Sequence, residues 1–226
     1  MRRLSYIFYN TFYKYILKLY LKSDSNVKFD KFKLKVFKEV FHPKLFFSTK
    51  YLYKFLLEKK FTNLNFLEIG SGTGVLSMLA FQKGASVTAI DIDPKAVENT
   101  QLNFSMNFKS SENLHIYQSD LFMNIPSQLF DFVVINPPYY FKKVETNAHY
   151  AWYCGENGEY FERLSSQLKT YVNDQTETYM ILEENCDIQR IKKIASLHGL
   201  NLKVLDEKMI KWEKNYIFQL SYSNKL

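Results

Sequence analysis

Residues 65–74 read Asn65-Phe66-Leu67-Glu68-Ile69-Gly70-Ser71-Gly72-Thr73-Gly74, an apolar stretch that runs straight into three closely spaced glycines. The apolar half has strand character. The glycines permit a tight turn and let a ligand approach the main chain closely. A helix is expected directly afterwards, over 73–83, with Gly84 placed to end it. A glycine-rich turn also suits a dinucleotide, but Gly74 follows Gly72 by two residues, where that fingerprint needs three.

Downstream, Asp91 closes a second apolar stretch 21 residues after Gly70. A carboxylate at that strand end can accept both hydroxyl protons of a ribose, with Ile92 beside it. Asp93, just before Pro94, is better placed to cap the next helix. Asp120 ends a third stretch, followed by Leu121, where it can accept a hydrogen bond from an adenine amino group. The fourth stretch, Phe132-Val133-Val134-Ile135, leads into Asn136-Pro137-Pro138-Tyr139. Successive prolines remove two backbone donors and fix φ, so carbonyl acceptors point outward from the strand end. Asn136 adds a side-chain carbonyl and Tyr139 a flat face, a combination suited to an N–H2 group on a planar partner.

Short apolar strands alternate with helical patterns from residue 65 onward, which predicts an α/β fold with a mostly parallel sheet. Strands are expected at 65–70, 86–92, 114–120, 131–135 and 176–184. Helices are expected at 73–83, 94–107, 123–129, 158–172 and 187–198, the last stopped by Gly199. Residues 202–210 and 216–222 read as two strands joined by 211–215, a C-terminal antiparallel hairpin.

The first 62 residues are expected to form a basic, aromatic-rich extension (helix, strand, helix), leaving 63–226 as the main α/β domain, which would carry any catalysis. Leu4, Phe8, Phe12, Ile16 and Leu19 recur at helical spacing over 4–22. Asp24, Ser25 and Asn26 break that pattern, Phe32, Leu34 and Val36 alternate as in a half-buried strand, and Ser48 or Thr49 is placed to cap a helix ending near Lys60. Residues 1–60 carry 15 Lys and Arg against four acidic residues, a net of +11, while the remaining 166 residues net −4. Such asymmetry would draw a polyanion to the N-terminal side, although a lysine-rich composition alone accounts for part of it.

Composition excludes several classes. Two cysteines, Cys154 and Cys186, suggest neither a disulfide framework nor a zinc site and fit a cytoplasmic protein. No run of about 18 apolar residues is present, so no membrane span is expected. The four histidines are scattered, and no metal site is expected.

With these motifs in this order, residues 64–222 resemble the class I, Rossmann-like S-adenosylmethionine methyltransferases, in the branch with an Asn-Pro-Pro-Tyr motif. Glu68 to Gly74 matches that family's cofactor loop, Ala89-Ile90-Asp91-Ile92-Asp93 its ribose segment and Ser119-Asp120-Leu121 its adenine segment. The resemblance implies S-adenosylmethionine bound through Glu68, Gly70, Gly72, Gly74, Asp91, Ile92, Asp120 and Leu121. It implies catalysis at Asn136, Pro137, Pro138 and Tyr139.

Within the branch the chain is similar to the small-domain group that includes release-factor glutamine methyltransferases and adenine-nitrogen methyltransferases of structured RNA. Val40-Phe41-His42-Pro43 resembles the short motif before that group's first helix, although the acidic residue common shortly after it is absent from 44–49. Gly155-Glu156-Asn157-Gly158 resembles the glycine-rich segment of the glutamine enzymes. The expected acceptor therefore belongs to the translation machinery. A protein glutamine is favoured by motif, with an adenine of tRNA or rRNA as the alternative. A non-catalytic RNA-binding module fits less well, because cofactor and acceptor motifs are both intact. An oxidoreductase needs neither Asn136 nor Tyr139.

Overall fold

The structure, a computed structural model, describes residues 23–38, 40–210 and 213–222. The helix expected at 4–22 lies outside the described residues.

Among the described residues, seven strands form one sheet in the order β5-β4-β3-β6-β7-β9-β8. They are β3 (Asn65–Ile69), β4 (Ser86–Asp91), β5 (Leu114–Gln118), β6 (Phe132–Ile135), β7 (Glu177–Glu183), β8 (Leu200–Ile210) and β9 (Glu213–Tyr222). Strands β3 to β7 pair in parallel, and β9 joins β7 and β8 antiparallel. The chain runs outward from β3 through β4 to β5, then crosses back to β6 on the other side of β3. The carboxyl ends of β3 and β6 thus flank a topological switch point, the usual place for a ligand in an open α/β sheet. Ile69 pairs with Ile135 there, so Gly70 and Asn136 leave the sheet side by side.

Both sheet faces are covered, which explains why Phe132-Val133-Val134-Ile135 is continuously apolar. Phe66, Phe132 and Val134 point to one core, with helices α1 (Phe47–Leu57) and α2 (Val75–Gln82). Leu67, Val133 and Ile135 point to the other, with α4 (Glu159–Gln167) and α5 (Ile188–Leu197). Phe61 stands edge-on to Phe66 and Phe132, at centroid distances of 5.3 and 5.0 Å. Each fully buried ring contributes about 1.5–3 kcal/mol.

Strands β1 (Ser25–Phe29) and β2 (Phe32–Val36) form a separate hairpin, turned at Asp30 with φ 51°. Its Phe29, Phe32, Leu34 and Val36 enter the same core as α1 and α2. Its backbone docks on α3 (Pro94–Asn107) through three asparagines four residues apart. Asn99, Asn103 and Asn107 accept from the amides of Phe37, Lys35 and Lys33 at 3.0, 2.8 and 3.0 Å. Their Nδ2 groups donate back to the carbonyls of Lys35 and Lys33 at 2.7–2.9 Å. One helix face thus satisfies the edge of β2 as a neighbouring strand would.

Strand β5 ends at Gln118, short of the expected 120, and β9 begins at Glu213 inside the expected connection 211–215. Other details also depart from the sequence reading. Residues 25–29 form a strand. No helix forms at 123–129: the Asn124 amide donates to Ser119 Oγ at 3.0 Å, its side chain donates to the Gln118 carbonyl, and Pro126 has no N–H to offer. Neither Ser48 nor Thr49 caps α1, whose N-cap is Phe46. The helix expected over 158–172 ends at Gln167, followed by a short 3-10 turn.

Candidate active site

A cavity of about 400 Å³ opens at the switch point, lined by the ends of β3, β4 and β6 and by the turn after β5. Its floor is the glycine turn. The amides of Gly70 and Ser71 both donate to the Ile90 carbonyl at 2.9 Å, folding the turn back over β4. Gly72, at φ +53°, has open space where a side chain would begin. Gly74 packs so tightly on α3 that a Cβ would lie 2.7 Å from Thr100 Cγ2. Thr100 Oγ1 donates to the Gly72 carbonyl at 3.2 Å, and Asn103 Nδ2 to the Thr73 carbonyl at 3.0 Å. Helix α3 therefore holds both the turn and the β1–β2 hairpin.

Two carboxyl groups flank the turn. Asp91 Oδ2 accepts from the Gly72 amide at 2.9 Å and Oδ1 from the Asp93 amide at 3.0 Å. Burial outweighs these bonds and pushes the Asp91 pKa up to about 6. Asp93 caps α3 by accepting from the Lys95 amide, as its place before Pro94 predicts. Glu68 lines the cavity, but its Oε2 is committed to the amide and hydroxyl of Ser77 at the start of α2. Its burial pushes the pKa up to about 8.

Next to the end of β4, Asp120 pairs with Arg163 of α4, and Leu121 takes φ 52° as the chain turns away. Ile92 lines the cavity beside Asp91. Cys154 is buried and its thiol is pushed up to about 12, so it is neutral at physiological pH.

Asn136 to Tyr139 form the wall opposite Asp91. Asn136 Nδ2 donates to Thr49 Oγ1 on α1 at 3.3 Å. The Tyr139 ring stands edge-on to Tyr140, 4.9 Å between centroids, and the Tyr140 hydroxyl donates to buried Glu183 at 2.6 Å. The amide of Cys154 donates to the Tyr140 carbonyl, and that of Tyr140 to the Trp152 carbonyl, both at 3.0 Å. This lays Trp152 along the rim. Phe41 and Phe46 stack at 4.3 Å and both contact the Trp152 ring, so the lining is aromatic at Phe41 and Trp152. Gly158, at φ 85°, opens α4 beyond this loop.

The cavity lining brings together Glu68, Gly70, Gly72, Asp91, Ile92, Asp120, Leu121 and Asn136 to Tyr139, whereas Gly74 lies outside it and packs on Thr100 of α3. Thr49, Thr100 and Arg163 were missed. Arg163 carried one available signal, being one of four arginines in the chain.

Among the described residues no helix is long and apolar enough to cross a membrane, and no cluster of His, Cys, Asp and Glu is arranged to hold a metal ion. The methyltransferase small domain family matches residues 33–186, more than half of the chain. A Methanocaldococcus jannaschii protein assigned as a protein N5-glutamine methyltransferase is 32% identical over 152 residues, covering 65% of this chain and 73% of that one. The tRNA1(Val) (adenine(37)-N6)-methyltransferase of Pedobacter heparinus is 27% identical over 144 residues, covering 62% and 61%, so less than two thirds of that enzyme is spanned. In fold, the chain is similar to one from the E. cuniculi Mtq2–Trm112 complex, responsible for methylation of the translation termination factor eRF1. That likeness has a TM-score of 0.61 at 20% identity, over 82% of this chain and 99% of that one. The chain belongs to the methyltransferase small domain family, and its activity class is that of S-adenosylmethionine-dependent N-methyltransferases.

Proposed function

We propose that this enzyme methylates the side-chain amide nitrogen of a glutamine in a protein of the translation machinery. The observation that carries this reading is the adjacency of the two motifs. Gly70 and Asn136 leave neighbouring strands together, and a Cβ on Gly70 would lie 3.6 Å from the Asn136 carbonyl oxygen. A cofactor on the glycine turn and an N–H2 group at Asn136 would therefore share one cavity.

The residues present fit S-adenosylmethionine. Open space above Gly72 gives access to the main chain, and Asp91 is turned toward the same space by the Gly72 amide. Gly70, Gly72, Gly74, Asp91 and Ile92 would hold the amino-acid and ribose portions. Asp120 and Leu121 would hold the base, with Glu68 bracing the turn through Ser77. When bound, the sulfonium supplies an activated methyl group. The protein's own work is to place the acceptor nitrogen and exclude water. An amide nitrogen is a weak nucleophile because its lone pair is spread into the carbonyl. Asn136 Oδ1 and the Pro137 carbonyl would accept its two hydrogens and favour the positive charge that develops there. Pro138 fixes the turn, and Tyr139 offers a face to the planar group.

Two observations favour the second reading, an adenine amino group in structured RNA. The aromatic rim of Phe41 and Trp152 suits a base that has left its stack. Lys28 and Lys33, both exposed, stand directly opposite each other on the hairpin with Lys31 at its turn, an arrangement of like charges that a polyanion would relieve. Glutamine is preferred because the glutamine-type relative is matched over more of its length, 73% against 61% and 32% for two adenine-type enzymes.

The test is to supply labelled S-adenosylmethionine and the enzyme to an extract of cells lacking it, and to separate protein from RNA. Label in protein supports the proposal. Label confined to RNA, and lost when Lys31, Lys33, Lys35 and Lys38 are all reversed to Glu, establishes the second reading.

A further inference from the structure

We infer that Thr49 is a positioning residue that holds the Asn136 carboxamide with its oxygen toward the acceptor. The inference rests on the reading of Asn136 given above. A carboxamide carries an acceptor and a donor group of nearly equal size, exchanged by a half-turn of the side chain. Only one orientation serves an N–H2 substrate. With Oδ1 outward, the substrate donates to Asn136; with Nδ2 outward, two sets of donors meet.

The prolines that follow Asn136 offer no backbone N–H to hold Oδ1. The contact that the structure shows lies at the other end of the amide, where Nδ2 donates to Thr49 Oγ1 at 3.3 Å across 87 positions of sequence, leaving Oδ1 for the acceptor. Donors then point one way along the whole chain, from substrate to Asn136 to Thr49. Thr49 is only 6% exposed, so water is a poor substitute for its hydroxyl. Its backbone is anchored by Leu52 and Leu56 of the same helix, both fully buried in the core. The segment before β3 thereby supplies part of the acceptor site.

The test compares Thr49→Val with Thr49→Ser, each alone and in an Asn136→Ala background. Initial rates of tritium transfer from labelled S-adenosylmethionine are measured against increasing amounts of the cell extract described above. Calorimetry with S-adenosylmethionine and thermal melting accompany them. Thr49→Val is expected to lower kcat by about ten- to a hundredfold, with cofactor affinity and melting temperature close to the parent. Thr49→Ser restores the rate, because it keeps the hydroxyl. In the Asn136→Ala background Thr49→Val causes no further loss, since both substitutions remove one function.

A Val variant as fast as the parent overturns the inference. So does a Ser variant as slow as Val, or losses that multiply in the double variant. If Thr49→Val does not fold, Thr49→Ala against Thr49→Ser makes the same comparison. A parent enzyme that transfers no label defeats the reading of Asn136 itself, whereas a fully active Val variant defeats only the role of Thr49.

Discussion

The backbone amide of Gly72 donates to Asp91 Oδ2 at 2.9 Å, so the glycine turn and the carboxylate at the end of β4 form one unit. Two functions are joined in that bond: it holds the turn closed and it aims the carboxylate into the cavity. Asp91→Ala should weaken S-adenosylmethionine binding by about 1–3 kcal/mol, through loss of a charged acceptor. Because burial raises the Asp91 pKa to about 6, the charged form predominates only above that pH. Affinity in the parent should therefore fall as pH drops from 7.5 to 5, while Asp91→Asn binds weakly at both. Calorimetry at the two values checks this, and an equal pH dependence in parent and variant contradicts it.

Glu68 makes the opposite demand on pH through stability. Its pKa is raised from an ordinary 4.5 to about 8, so the folded state favours the protonated form more than the unfolded chain does. The stability it contributes is fully present below about pH 4.5 and is lost as pH rises toward 8. Glu68→Gln cannot ionise and still offers Ser77 an acceptor. Melting curves should show the variant gaining on the parent from pH 5 to pH 8. Parallel curves across that range would refute the assignment.

The asparagine ladder predicts a graded series in denaturation. Asn103 is fully buried and its amide serves both the Lys35 backbone and the Thr73 carbonyl, so Asn103→Ala strands several polar groups. A loss of about 1–3 kcal/mol is expected. Asn107→Ala removes bonds in an exposed setting, where water replaces them, and should be milder. Chemical denaturation midpoints decide the order, and equal losses would show that the ladder is not graded by burial.

The parts of this site that could be read in the sequence are those built from contiguous residues. Gly70 to Gly74 and Asn136 to Tyr139 each carry their geometry in local backbone chemistry, and β6 announces itself by an unbroken apolar run. Asp93 could be assigned as a cap because Pro94 follows it. What escaped depends on distant partners. Thr49 looked like a cap, yet its hydroxyl meets a residue 87 positions away. The strand at 25–29 escaped because its turn, Asp30-Lys31, contains no glycine, although Asp30 adopts the left-handed conformation. The four-residue spacing of Asn99, Asn103 and Asn107 was visible, but its meaning required knowing that a strand edge lay opposite. The helix expected at 123–129 failed because local side-chain bonds from Asn124 compete with helical ones.

The central claim is that Asn136 serves the acceptor and not the cofactor. One measurement addresses it: the methyl-transfer rate of Asn136→Ala into saturating extract, with its affinity for S-adenosylmethionine taken on the same preparation. The account predicts a kcat lower by roughly a hundredfold or more, as for loss of a group that stabilises charge in the transition state, with the cofactor bound as tightly as by the parent. An Asn136→Ala enzyme that keeps most of its rate, or one whose lost rate follows lost cofactor affinity, would contradict it.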